Sequence, residues 1–170
     1  MLIQNTVPDQ TVSLALLDLG CGLGDLYNYL QKNNYANISY TGLDIVPEMI
    51  AAAKVNYPAG NFQVKNFVED ALPEHDIICA SGSLNIIFDP AGSQTKHIRK
   101  VIQKMYNQSR IACAFNLLNK DSEWLYAQDP RFYYADKQEF YQYCRGLCPD
   151  TRLIDGYLVN DFTLVMPRAV

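Results

Sequence analysis

Apolar residues occur along this chain in short continuous runs, separated by stretches of helical periodicity. A run that is apolar throughout is typical of a strand covered on both faces, because a half-exposed strand alternates apolar and polar residues. The runs predict seven strands, at 12–18, 39–44, 62–67, 76–80, 110–115, 153–159 and 162–166. The periodic stretches predict helices at 25–32, 47–55 and 95–106, and a fourth between Asp136 and Gly146.

Strands that alternate with helices are typical of a parallel sheet covered by helices on both faces. We therefore predict an α/β fold: a three-layer α/β/α sandwich around a mostly parallel seven-stranded sheet, ending in a C-terminal antiparallel hairpin. No linker, repeat or low-complexity segment divides the chain, so residues 1–170 are expected to form a single domain. The aromatic-rich segment 117–150, between the fifth and sixth strands, is called the lid-like excursion below.

A glycine-rich turn, GCGLG at 20–24, follows the first strand directly. Glycines in such a turn let a ligand approach backbone where a Cβ would clash, and the next helix presents its N-terminus there. Asp44 ends the second strand, where its carboxylate is placed to accept hydrogen bonds from a ribose diol. Together these features predict a nucleoside-bearing cofactor at the carboxyl ends of the first two strands.

Asp18, two residues before the first glycine, bears on which cofactor is favoured. A carboxylate would repel the pyrophosphate of a dinucleotide, whereas it attracts the ammonium of a methionine moiety. The spacing G-x-G-x-G also departs from the dinucleotide fingerprint G-x-G-x-x-G. An NAD-dependent oxidoreductase is therefore the poorest competitor among the enzyme classes.

The segment LDLGCGLG, at 17–24, resembles motif I of the class I, Rossmann-like S-adenosylmethionine (SAM)-dependent methyltransferases. The similarity continues through Gly42-Leu43-Asp44 and through 62–76, where Asn66 stands in place of the family's usual Asp and Phe67 is placed against the adenine. Ser81-Gly82 looks like the turn that lines the methionine end. The resemblance implies a SAM-dependent methyltransferase. The implied cofactor contacts are Asp18, Gly20, Cys21, Gly22, Gly24, Asp44, Ile45, Asn66, Phe67 and Ser81.

In methyl transfer from a sulfonium, the protein mainly binds the two reactants and aligns them. A general base is required only when the acceptor is a poor nucleophile, such as an alcohol. No catalytic set stands out, and the candidates are His97, Asn116 and Tyr134. The candidate acceptor-binding residues are Asn85, Asn116, Tyr126, Arg131 and Tyr133, with Arg131 expected to meet an anionic group. Each has a structural alternative, which is to cap a loop or to pack on the sheet.

Composition and charge narrow the range of partners. The net charge of −4 offers no electrostatic footprint for nucleic acid, and the basic residues at 96–110 are interpreted as a solvated helix face. No apolar run approaches the length of a membrane span, and the first residues lack the pattern of a signal peptide. The five scattered cysteines lack metal-ligand spacing, so we expect free thiols, no metal and a cytoplasmic protein.

The leading hypothesis is a methyltransferase whose acceptor is a small molecule, such as a sugar or another metabolite. Two alternatives stay open at this point: a protein methyltransferase with an open site, and a SAM-binding module without activity. The sequence also leaves a homodimer open.

Overall fold

The computed structural model describes residues 12–87, 94–121 and 129–168. Helices and strands alternate as far as the fifth strand. In chain order the elements are β1 Leu14–Leu19, α1 Asp25–Lys32, β2 Ile38–Asp44, α2 Pro47–Asn56, β3 Asn61–Val64, β4 His75–Ala80, a 3-10 turn Ser83–Asn85, α3 Gln94–Gln108, β5 Ser109–Asn119, β6 Tyr134–Ala135, α4 Lys137–Leu147, β7 Arg152–Ile154 and β8 Asp161–Pro167.

These strands form one mixed sheet in the order β3-β2-β1-β4-β5-β8-β7. The first five are parallel, and β8 runs antiparallel to both β5 and β7. The predicted seven-stranded arrangement with its C-terminal antiparallel hairpin is confirmed. A two-residue strand that the sequence did not predict, β6, pairs in parallel with the end of β5.

Helices cover both faces of the sheet, so the predicted three layers are confirmed. On one face α1 and α2 pack with Leu30 and Ile50, and on the other α3 and α4 pack with Ile102 and Phe140. Strand β1 supplies both cores, since Leu16 belongs to the first and its neighbour Leu17 to the second. Burial on both faces is the physical reason that β1 is apolar throughout.

The strand predicted at 62–67 is shorter in the structure, because it ends at Val64. The Asn66 side chain then accepts hydrogen bonds from the backbone N–H groups of Val68, at 3.1 Å, and Glu69, at 3.3 Å. An Asn side chain bonded to the backbone that follows it favours a turn over a strand. Asn66 and Phe67 therefore lie on a loop.

Two further strand boundaries differ from the prediction. The fifth strand runs to Asn119 instead of ending at 115, because β8 pairs with it as far as Leu118. The first residues of the lid-like excursion are thus part of the sheet. The strand predicted at 153–159 begins one residue earlier and is much shorter, since β7 comprises only Arg152–Ile154. Residues 155–160 form a bent connection to β8.

All five cysteines are buried and free of disulfide bonds. Within the described ranges, no helix combines the length and the apolar character needed to cross a membrane.

Candidate cofactor and acceptor site

A cleft opens between β1 and β4, where the order in which successive strands are added to the sheet changes side. β1, β2 and β3 extend to one side and β4 and β5 to the other, so the carboxyl ends of β1 and β4 flank the switch point at which open α/β sheets bind ligands. The cleft has a volume of about 360 Å³. Its lining includes six of the predicted cofactor contacts: Gly20, Gly22, Asp44, Ile45, Phe67 and Ser81.

Two glycines give the turn after β1 its shape. Gly20 has a φ of +73°, and a Cβ there would lie 2.1 Å from the Cβ of Ser83. That close approach lets the Ser83 hydroxyl donate a 2.6 Å hydrogen bond to the carbonyl of Leu19, which ties the loop after β4 to the end of β1. Gly22 has a φ of +54°, and a Cβ there would meet nothing within 4 Å. Its backbone is therefore open to a ligand in the cleft.

Asp44 links this turn to the end of β2. One carboxylate oxygen accepts a hydrogen bond from the backbone N–H of Gly22, at 2.9 Å, and the other accepts from Val46, also at 2.9 Å. The residue is only 8% exposed and lines the cleft. Because each carboxylate oxygen can accept more than one hydrogen bond, Asp44 keeps the capacity to bind a ribose diol.

The side of the cleft near α2 and the loop after β3 is apolar. Ile45, Met49 and Phe67 line it, and they suit the flat ring of an adenine. A smaller cavity, of about 190 Å³, adjoins it and also contains Ile45 in its wall. Asn66 and His97 lie together in that wall. His97, a candidate catalytic residue, is therefore on the adenine side of the site and does not line the cavity at the other end that is described below.

Asp18 lies beneath the glycine turn and does not line the cleft. Its carboxylate is 3% exposed, accepts a hydrogen bond from the Tyr40 hydroxyl at 2.8 Å, and has the Cys79 thiol 3.8 Å away. Burial raises the pKa of Asp18 to about 6, although these two contacts act in the opposite direction. Asp18 therefore faces Tyr40 and Cys79 and not the cleft, and its contact with a ligand ammonium stays a prediction of the charge argument.

Cys21 and Gly24, also implied as cofactor contacts, face the protein. Cys21 is buried under the turn, where its sulfur would lie 2.8 Å from a Cβ placed on Gly42. Gly24 is the N-cap of α1 and lies against the rings of Tyr57 and Phe62. Both residues shape the turn from below.

A second cavity, called the side cavity here, has a volume of about 410 Å³ and adjoins the cleft. Gly82 and Phe132 line both. Three predicted acceptor-site or catalytic residues meet in its wall: Asn85, Asn116 and Tyr134. Asp129 and Asp161, which the sequence reasoning did not include among the site residues, also line it.

Hydrogen bonds fix the polar side chains of the side cavity. The Asn116 amide oxygen accepts from the N–H of Gly82 at 2.7 Å, and its nitrogen donates to Asp161 at 2.7 Å. The Asn85 side-chain oxygen accepts from the N–H of Leu118 at 2.9 Å, so Asn85 ties the loop after β4 to β5. The Tyr134 hydroxyl accepts from the N–H of Asp129 at 3.0 Å.

The remaining predicted acceptor contacts have other surroundings. Arg131 is exposed and donates hydrogen bonds to both carboxylate oxygens of Asp129, at distances of 2.5 to 3.0 Å. The guanidinium that was expected to meet an anionic acceptor is therefore paired with a carboxylate of the protein itself. The Tyr133 hydroxyl lies 2.7 Å from the Thr95 hydroxyl, and its ring packs against the core at Phe140. Neither Arg131 nor Tyr133 lines the cleft or the side cavity. Tyr126 lies outside the described residues.

Asp161 is the functional candidate that the sequence reasoning missed. The pair Asn160-Asp161 reads as the turn of a hairpin, and turns commonly contain Asn and Asp for local reasons. The signal that could have singled it out is positional: an acidic residue at the start of an antiparallel strand beside β5 lies at the carboxyl end of β5.

The cleft fits SAM on the chemistry of its lining. Its wall combines glycine backbone at Gly20 and Gly22, the Asp44 carboxylate and apolar side chains. These are the kinds of group that a methionine moiety, a ribose and an adenine would need, in that order. In the described part of the chain, no group of three or more His, Cys, Asp or Glu side chains is arranged to hold a metal ion.

Solved methyltransferase structures share this fold. Magnesium protoporphyrin IX methyltransferase (ChlM) from Synechocystis PCC 6803, with bound SAH, superposes with a TM-score of 0.72 at 15% identity, covering 93% of this chain and 75% of that one. Human N-acetylserotonin methyltransferase, in complex with SAM, superposes with a TM-score of 0.72 at 17% identity, covering 99% of this chain and 51% of that one. At these identities the likeness concerns the fold.

Sequence comparison identifies the family. The chain is 29% identical over 157 residues to the Mycobacterium tuberculosis (strain ATCC 25618 / H37Rv) protein named “Putative methyltransferase Rv1506c”, covering 89% of this chain and 92% of that protein. A family model described as a methyltransferase domain matches residues 17–107, which include the glycine turn, Asp44 and Phe67. Since that match spans more than half of the 170 residues, this protein belongs to the methyltransferase-domain family of class I, SAM-dependent methyltransferases.

Proposed function

We propose that this protein transfers the methyl group of SAM to a small-molecule acceptor bound in the side cavity. The observation that carries the proposal is the shared wall of Gly82 and Phe132 between the cleft and the side cavity. An acceptor beside Gly82 lies next to the turn that the resemblance assigns to the methionine end. The volume of about 410 Å³ is in the usual range for a small-molecule site.

When bound, SAM supplies an electrophilic methyl group on a sulfonium, so the protein need only hold a nucleophile in line with it. Gly20 and Gly22 keep the turn open for the cofactor, and Asp44 orients it through the ribose. Asn116 holds the loop at Gly82, and thereby the junction of the two cavities, through its 2.7 Å hydrogen bond. Phe132 contributes an apolar surface to the junction.

The solved neighbours offer a limited parallel. One of them is named a magnesium protoporphyrin IX methyltransferase, and another, the plantazolicin methyltransferase BpumL, is in complex with a triazolic desmethylPZN analog and SAH. These molecules belong to those proteins, and they support the present proposal only because the same fold is found in methyltransferases with small-molecule ligands.

We further propose that residues 1–170 act as one domain in the cytoplasm. Two hydrophobic cores on opposite faces of a single sheet support the first statement. Five buried free thiols support the second, because reducing compartments preserve them.

Fractionated cell extract tests the acceptor class. An extract of the source organism is separated by ultrafiltration, and SAH formation is measured with the protein, SAM and each fraction. We expect turnover with the low-molecular-mass filtrate. Gly22→Val, which places a side chain at the open face of the turn, should abolish it, whereas Gly146→Val, at an equally open position on α4, should not.

Two outcomes would contradict the proposal. Turnover with the macromolecular fraction alone would indicate a protein or nucleic-acid acceptor. Binding of SAH without turnover in any fraction would indicate a module that binds the cofactor and does no chemistry.

A further inference from the structure

Asp161 is the first residue of β8 and pairs across the sheet with Leu118 near the end of β5. This register brings its carboxylate to the same edge of the sheet as the carboxyl ends of β4 and β5. The side chain is half-buried and lines the side cavity. An acidic group therefore lies in the wall of the cavity proposed to hold the acceptor.

Asn116 connects this carboxylate to the junction of the two cavities. Its amide bridges the N–H of Gly82 and the Asp161 oxygen Oδ2, each at 2.7 Å. An amide fixed at both ends holds the carboxylate in one orientation relative to Gly82. The other oxygen, Oδ1, accepts no hydrogen bond from any residue in the described ranges, and it is available to a ligand.

The rest of the wall of the side cavity provides neutral hydrogen-bond donors, and its other carboxylate, Asp129, is paired with a cation. The Tyr134 hydroxyl already accepts from Asp129, so its own proton is free to be donated. The Asp129 carboxylate is bonded to Arg131, which neutralises it. Within the described wall, the side cavity thus offers a negatively charged acceptor, at Asp161, and neutral donors that include the Tyr134 hydroxyl and the Asn85 amide.

We infer that Asp161 is the catalytic base for a neutral acceptor that carries a hydroxyl group, an inference that rests on the proposed methyl transfer. A hydroxyl both donates and accepts, which matches Asp161 and Tyr134, whereas an anionic acceptor would be repelled by Asp161. In the reaction the acceptor oxygen bonds to the methyl carbon and the carbon–sulfur bond breaks with its electron pair going to sulfur. The hydroxyl proton passes to Oδ1 of Asp161, and the products are a methyl ether and S-adenosylhomocysteine.

The surroundings of Asp161 suit this role. Burial raises its pKa above the ordinary aspartate value, and the hydrogen bond from Asn116 partly opposes that change. A more basic carboxylate accepts a proton more readily. The other titratable groups around it are Asp129 and Tyr134 in the same cavity, and Tyr157, Asp155 and Lys137 in the adjoining one, where Lys137 and Asp155 form a 2.6 Å ion pair.

Binding is tested first, with three probes that share a carbon chain. The protein saturated with S-adenosylhomocysteine is titrated with 1-butanol, butylamine and butyrate, and with methyl α-D-glucopyranoside, while amide NMR shifts are followed. We expect the two hydroxyl probes to shift Gly82, Leu118 and Asp161, and Asp161→Asn to weaken that response. Asp155→Asn, on the adjoining connection between β7 and β8, should behave as the wild type.

Turnover is tested second, with the filtrate that supports SAH formation. We expect Asp161→Asn to lower kcat by at least roughly 100-fold, the scale of a general base, and to change KM for SAM little. In the wild type kcat should rise with pH as Asp161 ionises, and this rise should be lost in Asp161→Asn. A merely structural residue would not remove the pH dependence.

The outcomes separate this inference from the proposed function. Tighter binding of butylamine or butyrate, no response to any hydroxyl probe, or an unchanged kcat in Asp161→Asn would each overturn the role of Asp161. Failure of S-adenosylhomocysteine to shift Gly22 and Val46 would instead overturn the proposed function itself.

Discussion

Asp18 and Asp44 lie near the ends of neighbouring parallel strands, and their carboxylates have different surroundings. Asp44 lines the cleft and is held by two backbone N–H groups. Asp18 is enclosed beneath the turn, bonded to the Tyr40 hydroxyl and close to the Cys79 thiol. Asp44 is placed to bind a ligand, whereas Asp18 supports the turn to which the ligand would bind.

The burial of Asp18 predicts how stability depends on pH. Its pKa is raised from 3.8 to about 6 in the folded protein, so the folded state retains a proton that the unfolded state loses earlier. The stabilisation is fully present below pH 3.8 and is lost as the pH rises through 6. Relative to Asp18→Asn, the free energy of unfolding of the wild type should therefore fall by about 2 kcal/mol between pH 4 and pH 7.

Urea unfolding across this pH range, without cofactor, measures the effect. Asp150→Asn, at an exposed position, serves as the control and should keep a constant difference from the wild type. A difference between the wild type and Asp18→Asn that does not change with pH would show that Asp18 is not protonated in the folded state.

At the residue scale, the sequence was informative about residues that directly follow a strand. Asp44, Gly20 and Gly22 line the cleft together because strand ends in a parallel sheet share one edge, and their contact with the cofactor stays a prediction. The burial of Asp18 was harder to predict, because its partners, Tyr40 and Cys79, come from the neighbouring strands β2 and β4. Asp161 was missed because its position depends on pairing with β5, which is far away in sequence.

At the scale of elements, helix α3 holds the loop that follows β3. The Lys104 ammonium donates hydrogen bonds to the carbonyls of Phe67 at 3.0 Å, Val68 at 2.9 Å and Asp70 at 2.6 Å. Three carbonyls around one ammonium fix the backbone on which Asn66 and Phe67 are carried. Lys104 therefore acts as a positioning residue for the adenine side of the cleft, without touching the ligand itself.

Lys104→Met should accordingly weaken SAH binding by roughly tenfold. Hydrogen bonds to a charged group contribute about 1.5–3 kcal/mol each, but only part of that loss reaches the ligand, because Lys104 acts on the ligand through the loop. Lys100→Met is a matched control on the same helix. Its ammonium forms a 3.2 Å ion pair with exposed Glu69, a type of contact that contributes little. Equal Kd values for the two variants in calorimetric titration would rule out the positioning role.

Strands buried on both faces were predicted well from their apolar runs, and their ends less well. β3 stops early because the Asn66 side chain bonds to the backbone ahead of it, a local competition that an apolar run does not reveal. β5 runs four residues further than predicted, to Asn119, because β8 pairs with it. The two-residue β6 lacks any pattern of its own, and only its register with β5 defines it.

At the scale of the whole molecule, the sheet order places two cavities side by side. The cleft lies at the switch point between β1 and β4, and the side cavity lies beyond it at the ends of β5 and β8. The antiparallel β8 brings Asp161 to that edge, which a parallel last strand would not do. The sheet thus places the cleft beside the cavity proposed for the acceptor, with Gly82 in the wall of both.

Calorimetric titration with SAH tests the central claim, that this cleft binds the cofactor of a methyltransferase. We expect the wild type to bind, and Asp44→Ala to bind roughly 100-fold more weakly, since it loses charge-assisted contacts with the ribose and with the glycine turn. Asp25→Ala, at the exposed start of α1, should bind as the wild type does. Absence of binding by the folded wild type, or equal affinity in Asp44→Ala, would contradict the account.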